Sequence, residues 1–334
     1  MALLELQDLR VRFHTRDGIV NAVDGVSLSV DRSRTLGVVG ESGSGKSVTA
    51  LTVMGLTRFP NAEVEGRVLL DGVDLLSLPG DELRRVRGKR VAMIFQDPLS
   101  SLHPLYRIGA QIVEAIRAHE HVSDRAARSR ALEALKEVGI PSAAERIDAY
   151  PYELSGGMRQ RVMIAMALVL DPEILIADEP TTALDVTVQA QILDLIRMLQ
   201  EEHRTAVMLI THDLGVVAET ADEVAVMYAG RVAERGSLAA VLDSPQHPYT
   251  WGLLRSMPRA AGEELHPIDG SPPSLIDVPN GCPFHPRCPY AFSVCTTVSP
   301  PLVESEPGHA DACHLPLARK RAIGRSVRAT GAAA

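Results

Sequence analysis

The segment Gly40-Glu-Ser-Gly-Ser-Gly-Lys-Ser47 gives the strongest indication of the fold of this chain. It matches the full pattern of a phosphate-binding loop, in which two glycines bracket four residues and Lys-Ser follows. A β-branched apolar run precedes it at residues 35–39, and an apolar helical pattern follows it at residues 48–56. This order of strand, glycine-rich turn and helix directs successive backbone N–H groups at an anion, so the context of the motif supports phosphate binding.

Each residue type in the loop has a use at a nucleotide phosphate. The glycines let the backbone turn closely, Lys46 supplies a point charge to the β- and γ-phosphates, and the Ser47 hydroxyl binds Mg²⁺. We therefore predict a site for a nucleoside triphosphate and Mg²⁺ that includes Gly40, Ser42, Gly43, Ser44, Gly45, Lys46 and Ser47.

A second candidate element is Ile174-Leu-Ile-Ala-Asp-Glu179, a predicted buried strand that ends in two acids. Because successive strand residues point to opposite faces, the two carboxylates must have different tasks. Asp178 fits a Mg²⁺ ligand, and Glu179 fits the base that deprotonates water for in-line attack on the γ-phosphate. Acids at a strand end are usually only solvated, but the phosphate loop in the same chain favours the chemical interpretation.

The first 240 residues alternate short β-branched runs with helical periods, as is typical of a parallel sheet covered by helices. Residues 3–13 and 19–30 alternate like antiparallel strands, and Ser123 is placed to cap a helix in a helix-rich insert. We predict an α/β fold with a P-loop NTPase core, an antiparallel β subdomain and an inserted helical subdomain at about residues 97–170. The core strand candidates are residues 35–39, 90–95, 174–177, 206–211 and 223–228.

Proline usage divides the chain, since most of its 22 prolines lie between Pro245 and Pro316. That stretch shows little helical periodicity, so something other than a helical core must order it. We predict a nucleotide-binding domain at residues 1–240, a Pro-rich C-terminal extension at residues 241–316 and a basic flexible tail at residues 317–334.

Charge and hydropathy limit the partners. The chain has 34 Lys and Arg against 42 Asp and Glu, a net charge of −8, which repels nucleic acid, so we expect no nucleic-acid partner. The longest apolar run, residues 162–170, is far shorter than the roughly 20 residues that span a bilayer. We therefore expect a cytosolic chain unless other subunits hold it at a membrane.

The stretch Leu154-Ser-Gly-Gly-Met-Arg-Gln-Arg161 opens a long apolar helix. Ser155, Gly156 and Gly157 form a second anion site at a helix N-terminus, although Lys46 already marks one in the same chain. The stretch resembles the signature sequence of ABC-transporter ATPases. The resemblance implies that two ATPase subunits pack head to tail, with each signature closing over the ATP held by the other subunit's phosphate loop.

Further residues stand in the order that this family shows. Gln96 resembles the residue that senses Mg²⁺ and the attacking water, Asp185 resembles the loop that crosses the dimer interface, and His212 resembles the switch histidine at the γ-phosphate. Phe13 stands where the family places an aromatic ring against adenine, although His14 could compete. Taken alone, these residues would be a loop amide, a helix N-cap, a strand-end histidine and a core aromatic.

Three stretches narrow the resemblance to the ATPases of oligopeptide and dipeptide importers: Phe95-Gln-Asp-Pro98, Thr181-Thr-Ala-Leu-Asp-Val-Thr-Val188 and His247-Pro-Tyr-Thr250. The resemblance implies an ATPase that energises peptide import together with a second homologous ATPase, two membrane permease subunits and an extracytoplasmic solute-binding protein. It implies a peripheral place at the cytoplasmic face of the membrane, with docking near residues 96–106. The alternatives are an importer ATPase for another solute such as nickel or glutathione, a soluble ABC ATPase without transport, and an exporter ATPase.

All four cysteines lie in the Pro-rich extension, at Cys282, Cys288, Cys295 and Cys313. A segment without periodicity needs a cross-link to hold its shape, and disulfides are disfavoured in the cytosol. Four thiolates satisfy a 4Fe-4S cluster, whereas structural zinc sites more often show C-x2-C pairs. The resemblance strengthens the cluster, because some peptide-importer ATPases carry one at similar cysteines. We predict a structural 4Fe-4S cluster, with Zn²⁺ or unligated thiols as alternatives.

Overall fold

A computed structural model describes residues 2–97, 101–182, 184–257 and 267–332. Pro98 of the Phe95 motif, residues 99–100 of the expected docking surface and Ala183 lie outside these residues. The described residues form two compact units. The first unit contains residues 2–4, 30–34 and 77–209, and the second contains residues 5–29, 35–76 and those from 210 onward.

Strands and helices are numbered along the chain. The strands are β1 (Ala2–Thr15), β2 (Gly18–Asp31), β3 (Thr35–Val39), β4 (Ala62–Leu70), β5 (Val73–Asp74), β6 (Val91–Ile94), β7 (Ile174–Asp178), β8 (Ala206–Thr211), β9 (Glu223–Tyr228), β10 (Arg231–Ser237), β11 (Val303–Glu306) and β12 (His309–Asp311). The helices are α1 (Lys46–Val53), α2 (Gly80–Val86), α3 (Ile108–His119), α4 (Asp124–Glu137), α5 (Ala143–Arg146), α6 (Gly156–Leu168), α7 (Val186–His203), α8 (Leu214–Thr220), α9 (Leu238–Asp243), α10 (Pro248–Arg255) and α11 (Leu317–Ala332).

The second unit contains the strand that leads into the phosphate-binding loop. Its strands β11, β12, β10, β9 and β3 are neighbours in that order, and β1, β2, β4 and β5 form another sheet in the order β2-β1-β4-β5. β9 runs parallel to β3, pairing Val226 with Val39, and antiparallel to β10. β3 is buried along its whole length, as expected for an apolar strand in a parallel pair.

The Pro-rich extension packs into the hydrophobic core of the second unit. Tyr249, Trp251, Phe284 and Leu315 are buried together with residues of β3 and β9. β12 also pairs with β10, which joins the extension to the sheet by backbone hydrogen bonds. Apolar burial and strand pairing therefore order a region that has little helical periodicity of its own.

The first unit contains the predicted helical insert. Helices α3, α4 and α6 pack against one another, and their apolar faces bury Ile112, Leu135 and Val162. The Ser123 hydroxyl accepts a hydrogen bond from the backbone N–H of Ala126, which confirms the predicted cap of α4. In the same unit β8, β7 and β6 are neighbours in that order, and β6 runs parallel to β7.

The C-terminal segment differs from the sequence-based expectation of a fraying tail. From Leu317 the chain forms α11, and Lys320 on this helix is buried and paired with Asp311 at the end of β12. This pairing fixes the start of a segment that looks solvated when only its basic composition is considered. No helix in the described ranges combines the length and the apolar character that crossing a membrane requires.

Candidate functional site

The phosphate-binding loop joins β3 to α1 in the second unit. α1 begins at Lys46, and Nζ of Lys46 donates to the carbonyl oxygens of Gly40 (2.7 Å) and Glu41 (3.0 Å) and lies 3.4 Å from the Ser44 hydroxyl. Lys46 is only 5% exposed. The loop therefore wraps around its lysine and holds the positive charge in place.

Glycine is required where the loop meets neighbouring backbone. A Cβ atom on Gly40 would lie 2.2 Å from the carbonyl oxygen of Met227, and one on Gly45 would lie 2.4 Å from that of Ala22. A Cβ atom on Gly43, by contrast, would meet no atom of the described residues within 4 Å. The inner side of the loop is packed, whereas the side at Gly43 is open to an approaching anion.

The residues that hold Glu41 in this loop were not predicted from the sequence. The Glu41 N–H donates to the Tyr249 hydroxyl, and its carboxylate accepts hydrogen bonds from Arg287. Arg287 lies 246 positions further along the chain, so no local pattern could reveal the pair. Tyr249 belongs to the His-Pro-Tyr stretch, from which we inferred a family resemblance but no contact with the loop.

Asp178 and Glu179 differ in their surroundings. Asp178 is the buried last residue of β7. Glu179 follows it with φ 46°, a left-handed conformation that costs a non-glycine residue about 1–2 kcal/mol. Its Oε2 accepts hydrogen bonds from Gln96 Nε2 (3.1 Å) and Thr182 Oγ1 (2.9 Å). Strain at an oriented carboxylate is typical of a functional site.

His212 lies next to a strand, and Phe13 lies within one. His212 follows β8 directly and is exposed. Phe13 is half-buried on β1, while neighbouring His14 is exposed and its imidazole lies 3.6 Å from the Glu63 carboxylate. The adenine-contacting role of Phe13 stays a prediction.

The signature stretch begins α6 in the first unit. The exposed Ser155 caps this helix, because its hydroxyl accepts a hydrogen bond from the N–H of Met158 (3.3 Å). A Cβ atom on Gly157 would lie 2.8 Å from a methyl group of Val188, so α6 and α7 approach closely there. Asp185 caps α7 by accepting from the Val188 N–H (2.9 Å). The N-terminal ends of two helices are thus next to each other, each with its positive dipole end.

The predicted site residues fall into two sets. The phosphate loop, Phe13 and His212 belong to the second unit. Gln96, Asp178, Glu179, Asp185 and the signature residues Ser155, Gly156 and Gly157 belong to the first unit. Within the first unit, the structure joins Gln96 directly to Glu179, which lies 83 residues further along the sequence.

Comparisons with known proteins decide the family. A family model described as ABC transporter matches residues 23–182, and one described as the C-terminal region of oligopeptide/dipeptide transporters matches residues 233–295. The chain is 50% identical over 318 residues to the oligopeptide transport ATP-binding protein of Escherichia coli (strain K12), covering 95% of this chain and 94% of that relative. It is 51% identical over 316 residues to the dipeptide transport ATP-binding protein of Bacillus subtilis (strain 168), covering 94% of each. The chain belongs to the ABC-transporter ATP-binding proteins.

Solved structures confirm the fold of this ABC ATPase. A dimeric bacterial ABC transporter cassette matches with a TM-score of 0.63 and 30% identity, covering 70% of this chain and 98% of the cassette. A dimeric ATP-binding cassette in a post-hydrolysis state, bound to ADP and Pi, matches with a TM-score of 0.62 and 29% identity over the same shares. The predicted P-loop NTPase core is therefore confirmed, and the chain is an ATPase that uses ATP and Mg²⁺.

The phosphate loop of this ABC ATPase fits such a substrate. Lys46 is a buried cation that donates to two carbonyl oxygens, and a Cβ atom on Gly43 would meet no atom of the described residues within 4 Å. Ser47 lies in the first turn of α1, next to the lysine. Hydroxyl and carboxylate oxygens such as those of Ser47 and Asp178 are the ligands that Mg²⁺ prefers.

The prediction of a 4Fe-4S cluster is wrong. All four cysteines do line one small cavity, together with apolar residues such as Phe284 and Leu315. Yet the described part of the chain contains no group of three or more His, Cys, Asp or Glu side chains arranged to hold a metal ion, and nothing in it supports the zinc alternative. The relatives are named as oligopeptide and dipeptide transport ATP-binding proteins, and these names mention no metal cluster.

The physical reason for this error is the core of the extension. The prediction assumed that the Pro-rich region needs a cross-link, but Cys282 and Cys295 are buried among its aromatic side chains. In the metal-free chain, burial also raises the pKa of the Cys288 thiol to about 11 and that of Cys313 to about 12. The cysteines act there as small apolar side chains.

Proposed function

We propose that the chain is the ATP-hydrolysing subunit of an importer for oligopeptides or dipeptides. The observation that carries this proposal is the match along nearly the whole chain to relatives named for oligopeptide and dipeptide transport. The match includes residues 233–295, which resemble the C-terminal region of such transporters.

Binding of ATP uses the phosphate loop. Lys46 holds the β- and γ-phosphates, the backbone N–H groups around Gly43 face the same anion, and Phe13 packs against adenine. Ser47 and Asp178 hold Mg²⁺, which would neutralise negative charge on the phosphates.

Hydrolysis uses the residues at the end of β7. Glu179 accepts a proton from the attacking water, and Gln96 fixes the orientation of the Glu179 carboxylate by donating to Oε2. Glu179 follows β7 directly, with its backbone in the left-handed region. His212 contacts the γ-phosphate, so the position of the loop after β8 depends on whether the γ-phosphate is bound.

Assembly extends the site to other subunits. Ser155, Gly156 and Gly157 serve the ATP held by a second homologous ATPase, and Asp185 lies at the interface between the two. The pair binds two membrane permease subunits through residues 96–106 at the cytoplasmic face of the membrane, and an extracytoplasmic solute-binding protein supplies the peptide. The domain boundaries at residues 240 and 316 are part of this proposal.

Co-expression with the two permease subunits and the partner ATPase tests this function. We expect the chain to copurify with the permeases and to hydrolyse ATP faster in the complex than alone, because assembly brings the partner's signature to its nucleotide. Failure to copurify, together with full hydrolysis by the isolated chain, would favour a soluble ABC ATPase instead.

A further inference from the structure

Glu41, the first variable residue of the phosphate-binding loop, is held by three groups. Its backbone N–H donates to the Tyr249 hydroxyl (2.8 Å), and its carboxylate accepts two hydrogen bonds from the Arg287 guanidinium (2.6 and 3.0 Å). Its carbonyl oxygen accepts a hydrogen bond from Nζ of Lys46 (3.0 Å). One residue therefore connects the phosphate-binding lysine to two side chains from the C-terminal region.

Arg287 is fixed by more than Glu41. Its side chain is only 5% exposed, its Nε donates to the carbonyl oxygen of Asp269 (2.9 Å), and its guanidinium lies 5.8 Å from the centre of the Tyr228 ring. Burial lowers the pKa of Arg287, but hydrogen bonds to Glu41 and Tyr228 raise it above its ordinary value overall. A buried guanidinium needs its counter-charge, and a two-pronged pair with a carboxylate has a defined orientation.

Tyr249 gives the loop a second fixed point. It is fully buried, and its ring centre lies 4.6 Å from that of Tyr228 and 5.4 Å from that of Phe284. Burial raises the pKa of its hydroxyl, so this group is neutral when it accepts the hydrogen bond from Glu41. The aromatic core of the second unit therefore sets where the start of the loop lies.

The loop needs such support because its glycine-rich sequence gives the backbone little rigidity of its own. Gly40, Gly43 and Gly45 all have positive φ angles, and glycine loses more conformational freedom on ordering than any other residue. A loop that must order when nucleotide binds lowers the affinity by the cost of that ordering. We propose that Arg287 and Tyr249 are positioning residues that act through Glu41 to hold the phosphate-binding loop ready for nucleotide. This inference rests on the proposed ATP-binding function, and neither residue is assigned a contact with the nucleotide.

Two measurements on the purified full-length chain test the inference. The first is the affinity for Mg-ADP by titration calorimetry, which involves no hydrolysis. We expect Arg287→Gln to weaken this affinity about tenfold, and Tyr249→Phe to weaken it by a smaller factor, because the loop then orders only on binding. The second is hydrogen exchange of the loop amides in the nucleotide-free chain, which should be faster in both variants.

Matched variants separate positioning from general damage. Arg231→Gln removes another arginine of the second unit, one that pairs with Asp24 and Ser299 and not with Glu41. We expect it to leave the Mg-ADP affinity and the loop exchange near wild-type values. The double variant Glu41→Gln with Arg287→Gln should be no weaker than Arg287→Gln alone, because both changes break the same pair.

Kinetics in the assembled complex complete the test. Arg287→Gln should raise the KM for ATP and change kcat little, and Arg287→Lys should restore part of the affinity. Unchanged Mg-ADP affinity and loop exchange in both Arg287→Gln and Tyr249→Phe would overturn the inference, as would a fall in kcat without a change in KM. If Arg287→Gln does not fold, the Mg-ADP affinity and loop exchange of Tyr249→Phe and Glu41→Gln test the inference instead. A wild-type chain that binds no nucleotide would instead refute the proposed function.

Discussion

The phosphate-binding loop and the cysteine segment at residues 282–295 are both irregular, but different forces hold them. In the loop, polar contacts dominate: Lys46 binds carbonyl oxygens, and Glu41 pairs with Arg287. In the cysteine segment, Cys282, Phe284 and Cys295 are buried in an apolar core. Polar contacts can fix a backbone and still leave N–H groups for a ligand, whereas apolar burial keeps a segment away from solvent. Polar residues of the phosphate-binding loop therefore form a binding site, whereas the cysteines of the cysteine segment only help to build the apolar core.

The largest effect that this contrast predicts is on catalysis at the polar end of β7. Glu179→Gln should bind ATP normally but hydrolyse it about 10²- to 10⁴-fold more slowly in the assembled complex, because a positioned general base is lost. Steady-state hydrolysis, with the partner ATPase inactivated separately, measures this. Glu173→Gln, just before the same strand, is the matched control and should keep wild-type turnover. Near-normal hydrolysis by Glu179→Gln would reject its role as the base.

The next effect concerns nucleotide binding by the loop. Lys46→Ala should weaken ATP affinity about 10²-fold, because charge-assisted hydrogen bonds to the phosphates are lost. Equilibrium titration of the purified chain checks this. Lys136→Ala, which removes an exposed lysine paired with Glu133 on α4, is the control. Equal affinities for the two variants would show that the loop does not bind phosphate.

The apolar region should respond in stability rather than in nucleotide affinity. Trp251 is 2% exposed, its ring packs perpendicular to that of Tyr290, and its Nε1 donates to the carbonyl oxygen of Pro245 (2.8 Å). Trp251→Ala should lower the free energy of unfolding by about 3–5 kcal/mol, as for other large aromatic truncations. Denaturant unfolding measures this, with Tyr152→Ala at an exposed aromatic as control. If both variants lose similar stability, apolar burial does not hold the extension.

The smallest effect concerns thiol reactivity. Because burial raises the pKa of Cys288 to about 11 and that of Cys313 to about 12, both stay protonated at pH 8 and should alkylate slowly in the native chain. Mass spectrometry after brief iodoacetamide treatment, compared with the denatured chain, measures the rates. The native rates should rise only as the pH approaches 11. Rapid labelling of the native chain at pH 8 would show that the segment is open to solvent.

The sequence predicts the loop and the sheet well because their determinants are local. The run at residues 35–39 becomes β3 with the predicted bounds, and the glycines and Lys46 follow it directly. Ser123 and Asp185 each cap a helix by accepting a hydrogen bond from the N–H group three positions further along. Such local contacts can be predicted from the sequence, and for Asp185 the cap was the alternative to a role at the dimer interface.

The C-terminal region was less predictable because its determinants are distant. Neither the pairing of Arg287 with Glu41 nor the burial of Lys320 against Asp311 leaves a periodic pattern in the sequence. The spacing of four cysteines indicated what thiols can bind but carried no information on the core that buries Cys282 and Cys295. The metal site was predicted wrongly because residues that are distant in the sequence bury these cysteines in a packed apolar segment.

The most direct test of the central claim is ATP-driven uptake of a labelled oligopeptide by proteoliposomes that contain the complete complex and its solute-binding protein. We predict that the wild-type chain supports peptide accumulation, that Glu179→Gln abolishes it while the complex still binds ATP, and that nickel and glutathione are not accumulated. Uptake of nickel or glutathione without peptide uptake would contradict the assignment of the substrate. Peptide accumulation at the wild-type rate with Glu179→Gln would contradict the claim that this chain supplies the energy.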